Sequence, residues 1–352
     1  MKILLLGGTG AMGAHLAKIL MERGEDVFVT TRKSRQSTCK ITYLQGDAHD
    51  NRFLETLLQD HWDAIVDFMV YNTTEFKARV DKLLQATTQY IYLSSSRVYA
   101  DSKDPITEDS PRLLDVSRDK TYLATDEYAL TKARQENILQ ESGSKNWTII
   151  RPYITFSEIR LQLGVMEKES WLSRALRGQP IVFSKDIANK ITTLTYGYDV
   201  AQGIAATCGE KRALGEAFHI TGNQSFTWDT VLDHYRTILE KELGHTVKII
   251  MIEKALQLKH KGKYQVMYDR YYNRRFDNSK ICQFMPATTF HNSLEELDRC
   301  LVEFLRNPIF NAAGVGLNAK LDRICGITMP LSAFNGWKDK VKYLLCRYIL
   351  PL

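Results

Sequence analysis

Tyr128 and Lys132 stand four residues apart in the segment YALTK. On a helix, side chains at that spacing share one face. A tyrosine hydroxyl is a poor base at neutral pH, because its ordinary pKa is about 10. A neighbouring ammonium and a nicotinamide cation would stabilise the phenolate and bring it into working range. Such chemistry needs a third group, a hydroxyl that orients the substrate oxygen. The segment YLSSSRVYA offers Ser94, Ser95 and Ser96 about thirty residues upstream, at the end of an apolar run. In a doubly wound sheet the C-terminal strand ends face the ligand crevice. The pattern predicts hydride exchange between a hydroxyl carbon and a dinucleotide.

The dinucleotide needs a phosphate cradle, and GGTGAMG (7–13) has the right form. Gly7 allows a tight turn out of a strand. Gly10 lets the backbone approach a pyrophosphate. Gly13 lets the following helix pack close to the sheet, and Ala11 and Met12 complete the turn. Phosphates then meet a helix N-terminus, where unpaired N–H groups and the macrodipole favour negative charge. The alternatives are a structural turn or a short leader. The apolar run before Gly7 is only Ile3–Leu6, shorter than the roughly 7–15 residues of a leader's apolar region. About twenty residues on, an acidic residue would hold the 2′-hydroxyl of NAD. This chain instead has Thr30, Thr31, Arg32, Lys33, Ser34 and Arg35. Cations and hydroxyls there suit a 2′-phosphate. Thr31, Arg32 and Lys33 are therefore expected at the cofactor. NADP(H) is favoured, with NAD(H) and a merely solvated basic loop as alternatives.

The elements that must position these groups can be read in order. Lys2–Leu6 is a short apolar run, Ala11–Arg23 has helical spacing, and residues 26–31 read as a second strand. Further strands are expected at 41–47, 63–69, 90–96 and 147–152, with helices at 51–59, 75–85 and 124–142 between them. This alternation predicts an α/β fold: a Rossmann-type doubly wound parallel sheet with a smaller C-terminal α/β substrate lobe. The dinucleotide-binding domain is expected over 1–155, with strand contributions from about 190–200, and the substrate lobe over 156–352. In the lobe, helices fit near 168–177, 198–208, 227–243 and 293–306, and short strands near 181–184, 192–195 and 217–220.

Composition narrows the function classes. The 352 residues are 44% hydrophobic and 25% charged, with a formal net charge of +6. That mild charge is dispersed, apart from a basic cluster near 32–35 and a basic region at 254–275, and its total gives no nucleic-acid footprint, so no nucleic-acid partner is expected. The six cysteines (39, 208, 282, 300, 325 and 346) are scattered and show no metal-ligand spacing. They read as reduced thiols of a cytoplasmic protein with no metal. No apolar run approaches the roughly 20 residues of a membrane span.

With these pieces in place, the chain resembles the extended short-chain dehydrogenase/reductase family, in its branch of nucleotide-sugar epimerases, dehydratases and reductases. The matching segments are GGTGAMG (7–13), GDAHD (46–50), SSSRVY (94–99), YALTK (128–132), IIRP (149–152), GYDVA (197–201), EAFHITG (216–222) and FDNSK (276–280). The resemblance implies that Asp47, with Ala48 beside it, holds the adenine end. It implies that Ser95 holds the reacting sugar oxygen and that Tyr128 is the acid/base. Lys132 would bind the nicotinamide ribose and lower the Tyr128 pKa. Dehydratases of the family have acidic residues just after the active-site hydroxyl, where this chain has Ser96 and Arg97. Its 3,5-epimerase/reductases have a Cys where Arg97 stands. The asparagine common after the IIRP strand is replaced by Ile154 and Thr155.

Ser96, Arg97, Tyr153, Arg270 and Arg274 are the candidate substrate residues, the last two as diphosphate ligands. The expected activity is epimerisation of a nucleotide-diphosphate sugar, most simply at C4. An NADPH-dependent keto-sugar reductase is the alternative within the family. An atypical, non-catalytic RNA-binding or regulatory member of the family is the alternative of a different functional class, suggested by DFMVYNTTEF (67–76). The resemblance also implies a homodimer. The basic amphipathic segment 336–352 is expected to pack back on the lobe or on a partner subunit, with a membrane surface as its other reading.

Overall fold

Continuous apolar runs become strands buried on both faces. In the computed structural model, which describes residues 1–258, 262–311, 314–334 and 336–350, seven such strands form one parallel sheet. They are β1 (Lys2–Leu6), β2 (Asp26–Thr31), β3 (Ile41–Gln45), β4 (Trp62–Asp67), β5 (Thr87–Leu93), β6 (Trp147–Pro152) and β7 (Glu216–Ile220), in the spatial order β7-β6-β5-β4-β1-β2-β3. Pairing is in register, with Leu4 opposite Ile65 across β1 and β4 and Leu5 opposite Val29 across β1 and β2. The period of two divides each strand between two cores. Ile3, Leu5, Val29 and Val66 pack with Leu16, Leu20 and Ile204 on one face. Leu4, Leu6, Ile65, Tyr90 and Tyr92 pack with Leu83 and Leu139 on the other. Strand order reverses between β1 and β4, the place where such sheets open a ligand crevice.

Contacts divide the chain into two units. The first is Met1–Ser157, Thr193–Gln224 and Arg275–Ser293. The second is Glu158–Thr192, Ser225–Arg274 and Leu294–Leu352. The segment near 217–220, expected in the smaller lobe, is β7 and extends the main sheet beside β6. The helix expected over 75–85 is two, Thr73–Lys77 and Val80–Gln85. The first opens earlier than expected because Asn72 and Glu75 form a reciprocal capping box.

The second unit pairs Ile181–Ser184 in parallel with Ile249–Ile252 and is otherwise mostly helical. Trp171 and Tyr235 meet in its core with ring centroids 4.5 Å apart. A buried ion pair joins Arg174 to Asp322 at 2.5 Å, and the Tyr343 hydroxyl donates to the same carboxylate at 2.7 Å. Residues 259–261, part of the basic region 254–275, and Pro351 and Leu352 of the C-terminal segment lie outside the described residues.

Candidate active site

β1 ends in the glycine turn. Gly7 sits at φ +69°, which a side chain rarely adopts, and its N–H donates to Thr30 Oγ1 at 2.8 Å. Thr30, at the end of β2, thus ties the turn to the neighbouring strand, a role sequence reading did not assign. At Gly13 a Cβ would lie 2.6 Å from the Gly8 backbone, whereas Gly10 has open space where a side chain would be. The helix Gly13–Glu22 has no side-chain cap at Met12, and the positive end of its dipole lies at the turn, where it favours an anion. Replacing Gly13 with alanine is expected to push the turn and helix apart. A loss of about 1–3 kcal/mol in urea denaturation, together with weakened dinucleotide binding by fluorescence titration, would check it.

The cofactor candidates beyond the turn are grouped at neighbouring strand ends. Thr31 closes β2 and donates its hydroxyl to the Lys33 carbonyl at 2.9 Å, while Arg32 and Lys33 are exposed. Asp47, in the exposed turn after β3, accepts the His49 N–H at 3.0 Å, and Ala48 is buried beside it.

The expected catalytic groups come together at the end of β5. Lys132 is buried, and its Nζ donates to the Leu93 carbonyl at 2.6 Å. Two residues on, Ser95 Oγ accepts the Arg97 N–H at 3.2 Å. Arg97 pairs with Glu127 at 2.6 Å and lays its guanidinium over the Tyr128 ring, 5.2 Å from the centroid. Glu127 also caps the helix Tyr128–Glu141 by accepting the Ala129 N–H at 2.8 Å. That cap starts the helix at Tyr128, and Lys132 follows one turn on. Tyr128 itself is 37% exposed.

Behind these groups lies a buried polar layer that sequence reading missed. Asp67, at the end of β4, accepts from the Tyr90 hydroxyl at 2.7 Å and the Met69 N–H at 2.9 Å. Burial raises the Asp67 pKa. Glu136, four residues after Lys132, accepts from Ser94 Oγ at 2.5 Å and from Arg151 Nε at 2.8 Å, and Arg112 approaches it at 3.1 Å. Burial lowers the Lys132 pKa to about 8, while Asp67 and Glu136 favour its charged form. The one sequence signal for Glu136 was its helical spacing from Lys132.

Several of the expected substrate residues have partners within the protein. Ser96 is buried and gives its hydroxyl to the Arg151 carbonyl at 2.7 Å. Tyr153 is buried against Phe276, with centroids 5.1 Å apart. In the second unit Arg270 and Arg274 are buried and share Asp269, and Arg270 also donates to the Gly164 carbonyl at 2.9 Å. The carboxylate that the two guanidiniums share offsets part of the cost of burying their charge. Ile154 takes φ +29°, a conformation asparagine adopts more cheaply than a β-branched residue. Among the described residues, no group of three or more His, Cys, Asp or Glu is placed to hold a metal ion.

Known proteins agree with this arrangement of strands and turn. The chain is 30% identical over 246 residues to the chloroplast stem-loop binding protein of 41 kDa b of Arabidopsis thaliana, covering 65% of this chain and 60% of that protein. It is 29% identical over 134 residues to a UDP-glucose 4-epimerase of Lactobacillus helveticus, covering 32% of this chain and 41% of that enzyme. The chain thus spans less than two thirds of the length of these curated relatives. Its fold is similar to that of UDP-glucuronic acid 4-epimerase from Bacillus cereus, solved with UDP-glucuronic acid and NAD. The TM-score is 0.65 at 19% identity, over 87% of this chain and 99% of that one. The model of the NAD dependent epimerase/dehydratase family matches residues 3–220, and the chain belongs to that family.

Proposed function

We propose that this protein epimerises a nucleotide-diphosphate sugar, most simply at C4, by transient oxidation and re-reduction of one hydroxyl. The observation that carries the reading is that Lys132 Nζ takes the Leu93 carbonyl at the end of β5, Ser95 follows two residues on, and Arg97 joins Ser95 to the Tyr128 ring. The glycine turn holds the pyrophosphate of a nicotinamide dinucleotide, which accepts the hydride and gives it back. Ser95 orients the sugar oxygen. Tyr128 takes its proton and later returns it. Lys132 supplies the positive charge that favours the phenolate.

Arg32 and Lys33, exposed past β2, favour NADP(H) through a 2′-phosphate contact. This bears on the reaction as well. A dinucleotide that stays bound through many turnovers suits epimerisation. One that exchanges freely suits the reductase, which would use the same three residues once per NADPH. Purified protein, denatured without added cofactor, would release what it retains for mass spectrometry. Bound dinucleotide together with interconversion of a UDP-sugar and its C4 epimer, read by NMR, is the expected result. Failure to bind either dinucleotide would overturn the reading.

Turnover should depend on pH through Lys132. Its ammonium is charged below about 8 and loses its proton above that value, so kcat/KM is expected to fall as pH rises through 8. Stability runs the other way. The unfolded chain keeps this proton up to the ordinary value of 10.5. Between the two values it therefore binds more protons than the native state, and the Lys132 contribution to stability rises with pH. A pH–rate profile still level well above pH 8 would contradict this role for Lys132.

The relative named for stem-loop binding supports a second reading, RNA binding. It predicts affinity for a hairpin RNA that falls steeply with salt, and no sugar turnover. The presence of Ser95, Tyr128 and Lys132 together supports the enzyme reading.

A further inference from the structure

The helix Trp337–Leu344 and the turn Leu345–Ile349 that continues it have two unlike sides. One side packs within the second unit: Tyr343 and Cys346 are buried with Ala319, against Val315, Met329 and Phe334. The other presents Trp337, Val341, Leu344, Leu345, Tyr348 and Ile349. These positions recur at three- and four-residue intervals, so they form one stripe along the helix. All six are exposed, Trp337 and Ile349 to 71% each. An apolar stripe left in water is unfavourable unless something covers it.

The charges beside the stripe say what fits. Residues 336–350 hold four cations, Lys338, Lys340, Lys342 and Arg347, against one acid, Asp339. At about 100° per residue along the α-helix, Lys338 and Lys342 lie along one border of the stripe and Lys340 along the other, while Arg347, in the last turn, gives its Nε to the Ile327 carbonyl at 2.9 Å. Trp337 and Tyr348 stand at its two ends, and both are residue types that prefer a membrane–water boundary. Cations along both borders of an apolar face match an anionic lipid surface, where the lysines meet headgroups as the apolar side chains enter the acyl boundary. A second copy is a poorer fit. A two-fold contact would bring the lysine borders toward their own copies. The stripe, roughly 20 Å long and about 10 Å wide, is also far smaller than the ~800 Å² per partner of a stable dimer.

We infer that this C-terminal helix docks the protein, flat and reversibly, on an anionic membrane surface. The protein is held there by the apolar stripe and the lysines that border it. No helix among the described residues is long and apolar enough to cross a membrane, so the attachment is peripheral.

The test is co-sedimentation of the full chain with vesicles of equal parts phosphatidylglycerol and phosphatidylcholine, against vesicles of phosphatidylcholine alone. Binding to the anionic vesicles only, weakened by salt, is expected. The double variant Trp337→Ala/Ile349→Ala is expected to bind at least about tenfold more weakly. So is Lys338→Glu/Lys342→Glu, which leaves the apolar stripe intact. Both pairs are exposed, and unchanged thermal melts would show that folding is unaffected. No binding to anionic vesicles at low salt would overturn the inference. So would a concentration-dependent dimer that Val341→Glu dissociates, since a second copy would then cover the stripe.

Discussion

Replacing Tyr128 with phenylalanine is expected to lower kcat by about 10²–10⁴-fold while leaving fold and dinucleotide binding intact. The structure explains why the two effects separate. Tyr128 opens its helix, but the cap comes from the Glu127 carboxylate, which the substitution does not touch. The ring stays, and with it the Arg97 guanidinium stacked over its face. Only the hydroxyl is removed, and it belongs to a side chain 37% exposed. Steady-state turnover of a UDP-sugar, a thermal melt and a fluorescence titration with dinucleotide would measure the three quantities. A loss of less than about tenfold in kcat would remove Tyr128 from the proton-transfer role. The sugar would then need another acid/base beside Ser95 and Lys132. Ser95→Ala is the weaker companion, because its Oγ also accepts the Arg97 N–H.

The parts legible in the sequence share one property: each follows from short-range pattern. The glycine turn, the strand runs and the Tyr128/Lys132 spacing are local. Their meeting at the sheet's C-terminal edge follows from doubly wound topology alone. The parts that stayed hidden are long-range pairings. Nothing in the neighbourhood of Thr30 says that its hydroxyl will take the Gly7 N–H. Asp269 stands beside Arg270 in the sequence, but nothing there says that Arg270 will also take the distant Gly164 carbonyl. An arginine near a family motif looks the same in sequence whether it faces a phosphate or a buried carboxylate. The serine run shows the limit most sharply. Position at the strand end does not separate the three adjacent hydroxyls, and only the family resemblance singles out Ser95. In the structure Ser94 goes to Glu136 and Ser96 to a backbone carbonyl, which leaves Ser95 as the hydroxyl that the proposed reaction would use.

That partition rests on Glu136, and its replacement by alanine is the other large expected effect. The carboxylate is fully buried and accepts from both Arg151 and Ser94, while Arg112 closes on its other oxygen at 3.1 Å. Glu136 holds the Arg151 pKa well above its ordinary value, against the pull of burial. Removing it leaves a guanidinium charge buried without its counter-charge, a change that costs about 3–5 kcal/mol. Urea denaturation should therefore show a sharply lower midpoint for Glu136→Ala. Glu136→Gln separates charge from shape. It keeps the volume and an acceptor for Ser94 but removes the negative charge, so most of the loss is expected to remain. Near-native stability of the glutamine variant would mean that packing, not the ion pair, holds this layer. The site should feel the change too. Ser94 adjoins Ser95, and Glu136 favours the charged form of Lys132. In any Glu136→Gln protein that folds, the alkaline fall in kcat/KM should move to lower pH. A variant that lost stability while its pH profile stayed fixed would show Glu136 to be purely structural.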